Sequence, residues 1–206
     1  MKHIERFRTN PIIHPGLDES IGANINGPSV IRVPDWIPHP LGRYYLYFAH
    51  HQGGFIRLAF ADDLEGPWSI YTPGTLRLEQ TSFLHHIASP DVHIDEEHQR
   101  IVMYYHGCVS LERHGMKGQR SGIAVSHDGI EFEDTTQAPL GPFYFRVFRF
   151  AGAFFALGKS IDSPGGTELL RSGTGEGPFE DGQRILDNTR HTAVRVVANN
   201  THDNHL

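Results

Sequence analysis

The chain has 206 residues, a formal net charge of −6, 15 histidines and one cysteine. That length allows one sizeable core or two small ones, and the mild acidity excludes the electrostatic footprint of a nucleic-acid or acidic-membrane binder. The lone Cys108 excludes an internal disulfide and every multi-cysteine metal site. The opening residues, Met1 to Arg8, lack the apolar run of a secretory signal, and no stretch approaches the ~20 apolar residues of a membrane span. The sequence therefore reads as a soluble, cytoplasmic protein with neither nucleic acid nor membrane as a partner.

Strand signals come as short runs separated by glycine and proline. Gly27 to Val33 is followed by Arg43 to Ala49 and by Phe55 to Ala61. Ser89 to Ile94 then precedes Arg100 to His106 and Ser121 to Ser126, and Phe143 to Phe150 precedes Ala153 to Gly158 and Thr167 to Ser172. No window holds an apolar period of 3.6 over three turns, so very little helix is expected.

These runs repeat. Each third strand leads into a turn and then an aromatic residue: Asp62 to Trp68, His127 to Phe132, and Gly173 to Phe179. Asp, Gly and Pro suit the turn's backbone angles, and the aromatic is expected to plug the gap between neighbouring sheets. First strands open near Pro28, Pro90, Pro142 and Thr192, at spacings of 62, 52 and 50 residues. A period near 50 with four strands per unit predicts an all-β protein, a β-propeller of four-stranded blades. A β-sandwich also strings short strands together, but nothing makes its strands repeat one turn-plus-aromatic signature.

The expected layout is an irregular N-terminal arm over residues 1–25 that packs across or closes the blades. Blades follow over residues 26–83, 84–138 and 139–187, and a fourth opens over 188–198. About three and a quarter blades result, and an incomplete ring should leave open blade faces. Such faces expose apolar surface, so self-association through the open edges into a homo-oligomer is expected, unless further chain supplies the rest.

Three strings carry a resemblance. They are Asn26-Gly27-Pro28-Ser29-Val30-Ile31, then Tyr44 to Phe48 with Ile56 to Ala59 through Leu64-Glu65-Gly66-Pro67-Trp68, and Ala88-Ser89-Pro90-Asp91-Val92-His93 through Met103 to His106. Over residues ~24 to ~197 the chain resembles the five-bladed β-propeller glycosidases of glycoside hydrolase family 43 and its relatives. The resemblance implies a carbohydrate in the central pocket and three carboxyl groups around it: a base, an acid, and one that orients the acid. The orienting carboxylate falls on Asp91. The base would stand just before Pro28, where this chain has Gly27, and the acid just before Gly141-Pro142, where it has Leu140.

Neither glycine nor leucine moves a proton, so two readings follow. One is a glycoside hydrolase that draws its acid and base from elsewhere, with Asp91, Asp18 and Glu19 as the catalytic candidates. The other is a non-catalytic sugar-binding module or pseudoenzyme. A protein-interaction propeller is a third class. Residues expected at one mouth of the channel are Asn26, His50, His51, His86, Tyr144, Arg146 and His191. The histidines suit hydrogen bonding to sugar hydroxyls; no H-E-x-x-H occurs, and the one H-x-x-H, His202 to His205, falls in a tail without strand character and gives no support for metal ligation. No metal ligand and no cofactor is therefore assigned, although the resemblance implies a central divalent cation near His191. Arg146 lies in an apolar inner strand, where alternation puts it on one face with Tyr144 and Phe148 and Asp91 is its natural partner.

Overall fold

The computed structural model describes residues 5–51, 53–111, 118–160 and 166–187. Twelve strands form three antiparallel four-stranded sheets in simple chain order. Sheet 1 holds β1 (Asn26–Arg32), β2 (Tyr44–Ala49), β3 (Phe55–Ala61) and β4 (Ser69–Arg77). Sheet 2 holds β5 (Leu84–Asp95), β6 (Arg100–Cys108), β7 (Gln119–Ser126) and the two-residue β8 (Glu133–Asp134). Sheet 3 holds β9 (Phe143–Phe150), β10 (Ala153–Lys159), β11 (Gly166–Ser172) and β12 (Glu180–Asp187). Helix is confined to short 3-10 turns among the described residues, Glu19–Ile21 and Leu78–Gln80 being the complete ones.

The second strands explain the stacking. A strand buried on both faces reads as a near-continuous apolar run, and its alternate residues serve different neighbours. In β2, Tyr45, Tyr47 and Ala49 join a core with Ile101, Met103 and Tyr105 of β6. In β6 the opposite phase, Val102 and Tyr104, joins Phe145, Val147 and Ala156 of sheet 3. Sheet 2 is thus filled from both sides by one strand read in two phases.

The turn-borne aromatics occupy these gaps. Phe132, after the third strand of sheet 2, meets Tyr47 of sheet 1 edge-on at 5.7 Å. Phe179, after the third strand of sheet 3, meets Tyr104 of sheet 2 at 6.2 Å. The same two tyrosines reach the turns themselves: Tyr47 Oη donates to the Gly129 carbonyl at 2.8 Å and Tyr104 Oη to the Gly175 carbonyl at 2.8 Å. Both acceptor glycines have φ near +75°, a conformation that costs other residues.

The outer face of sheet 1 is not bare, contrary to the expectation of open faces at both ends. Ile12, Ile13, Leu17, Ile21 and Ile25 of the arm pack over Leu46, Phe48, Ala59 and Trp68. Ile21 is fully buried there, and Thr9 donates to the Glu65 carbonyl beside the Trp68 turn. The arm takes the place that a preceding sheet would hold. The outer face of sheet 3 does remain uncovered by the described residues. Phe148 and Phe150 are 42% and 67% exposed, and Phe155 stacks on Phe148 at 5.6 Å.

Candidate functional site

The inner strands β1, β5 and β9 begin at one end of the three sheets, where β2, β6 and β10 end. The antiparallel registers fix this: Asn26 faces Ala49, Leu84 faces Cys108, and Phe143 faces Lys159. Side chains from all three sheets converge at that mouth. From sheet 1 come Asn26, His50 and His51. The backbone N–H of His51 donates to the Asn24 side chain at 2.7 Å. The following turn is tied to sheet 2 by Ile87 N–H donating to the Gly53 carbonyl at 3.0 Å.

Sheet 2 supplies His86 and His106, both buried, with ring centroids 5.9 Å apart. Burial holds the imidazole of His86 below its ordinary pKa; a hydrogen bond with Gln119 works against this and His85 adds to it. His106 is held well below the ordinary histidine value by burial first, then by His86, Arg146 and His51. It is neutral near pH 7, and its buried Nδ1 has no hydrogen-bond partner among the described residues.

Sheet 3 supplies Tyr144, Arg146 and Lys159. The Tyr144 ring lies 4.7 Å from that of His106. Its φ is +59°, an uncommon angle for an aromatic residue and one that concentrates at functional sites. The β9–β10 register slips at this point. That bulge breaks the alternation that sequence reasoning extended through β9, so Tyr144 turns onto His106 and does not share the Phe148 face. The Lys159 ammonium sits 5.5 Å over the Phe143 ring, and half-burial lowers its pKa.

Asp91 sits deeper on β5 and joins sheets 2 and 3. One carboxylate oxygen accepts from Val147 N–H at 2.7 Å and from His93 Nε2–H at 2.9 Å. Arg146 is 3.9 Å from the other oxygen, and its closer contacts are donations to the carbonyls of Phe145 and Pro90. The expected Asp91–Arg146 pairing is therefore loose, and backbone oxygens hold the guanidinium.

The two positions where the resemblance calls for a proton carrier are structurally closed. Gly27 has φ +59°, and a Cβ there would stand 2.6 Å from Ser89 Cα, so β1 and β5 meet too closely for any side chain. Leu140 is buried in the core between sheets 2 and 3 with Tyr104, Phe145 and Phe179. Asp18 N-caps the Glu19–Ile21 turn, accepting from the backbone N–H and hydroxyl of Ser20, which lowers its pKa. Among the described residues, no hydrogen bond or ion pair links Asp18 or Glu19 to Asp91 or to the histidine pair. His191 lies outside the described residues. No group of three His, Cys, Asp or Glu among the described residues could hold a metal ion.

Sequence reasoning passed over His106, Gln119 and Lys159. Lys159 ends the second strand of sheet 3, the place where His50 was singled out in sheet 1, whereas His106 lies two residues inside the end of β6. For Lys159, a titratable residue closing an apolar run was the available signal.

No family model matches the chain. Among solved structures it is similar to an α-L-arabinofuranosidase from Clostridium thermocellum, at TM-score 0.55 and 19% identity, over 80% of this chain and 51% of that one. It is also similar to a family 43 arabinoxylan arabinofuranohydrolase from Bacillus subtilis, at TM-score 0.58 and 19% identity, over 79% of this chain and 36% of that one. A family 117 glycoside hydrolase from the marine bacterium Zobellia galactanivorans gives TM-score 0.56 and 17% identity, over 79% and 46%. The fold is that of the propeller glycosidases. Among curated sequences, an uncharacterized protein of Acanthamoeba polyphaga mimivirus is 34% identical over 196 residues, covering 83% of this chain and 54% of the relative. The chain spans about half the length of that protein.

Proposed function

We propose that the three sheets are blades of a five-bladed glycosidase-type propeller whose mouth binds a carbohydrate without hydrolysing it by the family's two-carboxylate route. The observation that carries this reading is the convergence of His86, His106, Tyr144 and Arg146 from two sheets beside the His50–His51 turn of a third. A neutral imidazole with an unsatisfied buried Nδ1 is matched by a sugar hydroxyl, which both donates and accepts. An aromatic ring held at positive φ beside it suits the apolar face of a pyranose.

Against hydrolysis stands the fate of the acid and base positions. Inverting chemistry needs two carboxyl groups ~6.5–9.5 Å apart and retaining chemistry ~5–5.5 Å. Gly27 and Leu140 offer none, and Asp91 already accepts two hydrogen bonds. Titration calorimetry with a panel of oligosaccharides, run beside turnover assays on aryl glycosides, tests the reading. Binding without turnover is the expected result. Turnover that disappears in Asp91→Asn, with the variant still folded, would overturn it in favour of a hydrolase that recruits Asp18 or Glu19.

A further inference from the structure

The mouth is rich in cationic and imidazole groups although the chain as a whole carries −6. Arg146 and Lys159 stand on neighbouring strands of sheet 3, since Arg146 faces Leu157 and Lys159 lies two residues further toward the mouth. Beside them lie His86 and His106, with His51 close enough to act electrostatically on His106. The single carboxylate among these mouth residues is Asp91. One of its oxygens lies 3.9 Å from Arg146, and the other is taken by Val147 and His93. Lys159 forms no ion pair among the described residues; its ammonium rests on the Phe143 ring. A half-buried ammonium without a counter-charge is costly, and an incoming anion removes that cost. Low-dielectric walls also focus the field of such a cluster on an approaching ligand.

We infer that the carbohydrate bound at this mouth is an acidic one, with a carboxylate or sulfate group of the sugar lodged between Arg146 and Lys159. Arg146 presents a planar fork suited to either oxyanion, Lys159 a point charge. The His106 Nδ1 and the Tyr144 ring then meet the uncharged part of the same residue, its hydroxyls and its ring face. The inference rests on the carbohydrate-binding reading above and narrows it to a chemical class.

Matched ligands test it with the whole chain. Gluco-, manno- and galacto-oligosaccharides are each titrated as the neutral form, the uronate form and the sulfated form. The acidic forms should bind about tenfold or more tightly than their neutral partners, and the advantage should shrink as salt rises. Preference for uronate over sulfate, or the reverse, identifies which oxyanion the pair accepts. Arg146→Gln with Lys159→Gln should bring the acidic ligands down to the affinity of the neutral ones while the melting temperature reports that the fold persists. Equal binding of neutral and acidic forms by the unmodified chain would overturn this inference and leave carbohydrate binding standing. Binding of no sugar in any form would overturn both.

Discussion

Tyr104 of the second sheet donates its hydroxyl proton to the backbone carbonyl of Gly175 in the third, as Tyr47 of the first does to Gly129 in the second. One side chain thus clasps each sheet to the turn of the next. Both bonds are buried, and burial of each tyrosine raises its phenol pKa, so the hydroxyls stay protonated donors. Tyr47→Phe and Tyr104→Phe each leave a glycine carbonyl without its partner, and a loss of about 1–3 kcal/mol is expected for each. The two interfaces share no residue at these contacts, so the double variant should show near-additive loss in urea unfolding. Strong non-additivity would mean that the clasps are not independent.

A second outcome concerns Gly27. Restoring a carboxylate there by Gly27→Asp looks like repair of a catalytic base. The geometry predicts damage: the position needs φ +59° and has no room beyond Cα. Thermal unfolding should show a large loss, above about 2 kcal/mol, and Gly27→Ala should lose nearly as much because the clash begins at Cβ. Gain of glycosidase turnover in Gly27→Asp would show that β1 can move away from Ser89.

The pH dependence of stability carries a sign set by His106. Its folded pKa lies well below the ordinary value, chiefly through burial. Below about pH 6.5 the unfolded chain binds a proton that the folded chain refuses. The stabilisation from neutral His106 is therefore complete above that value and is lost as pH falls toward the folded pKa, at a limiting slope of about 1.4 kcal/mol per pH unit. His86 shifts the same way and adds to the effect. Denaturant titrations from pH 7.5 to 5 should show the decline, and His106→Gln should flatten it. An unchanged slope in that variant would place the effect elsewhere.

Self-association is expected through the face of sheet 3 that the described residues leave uncovered. Phe148, Phe150 and Phe155 form an exposed aromatic patch there, and apolar surface of this kind is worth ~25 cal/mol per Å² when buried. Because the arm covers the opposite end, pairing through this one face closes at two copies. Light scattering at micromolar concentration should report a dimer that Phe148→Ser with Phe150→Ser converts to monomer. A monomer of 23.2 kDa from the unmodified chain would refute the pairing.

The sheets were legible because their strands carry two independent signals, an apolar run and a turn-plus-aromatic signature in fixed phase. Strands β3 and β9 match residue for residue, β5 begins five residues earlier than expected, and the other expected strands differ by one or two residues at an end. The outer strands were not legible: β4 contains Pro73 and Gly74, β8 has two residues, and β12 is polar. Such edges are held by their neighbours and carry little pattern of their own. At the mouth, His86, Tyr144 and Arg146 followed from their place on inner strands. The bulge at Tyr144 did not, since alternation is a rule for regular backbone. His106 was hidden because a histidine inside an apolar strand looks the same whether it packs or binds.

The arm's cover over Trp68 has a consequence for the flank of sheet 1. Without residues 5–25 the described residues would present two unlike apolar faces, the Trp68 face of sheet 1 and the Phe148 face of sheet 3. Each interior junction of the molecule already joins one such face to the other kind. Copies lacking the arm would therefore add head to tail, and a contact of that sort repeats without closing unless its rotation happens to complete a ring. On the side of sheet 1, five isoleucines and leucines on an irregular stretch of chain would thus act as a stopper against head-to-tail addition.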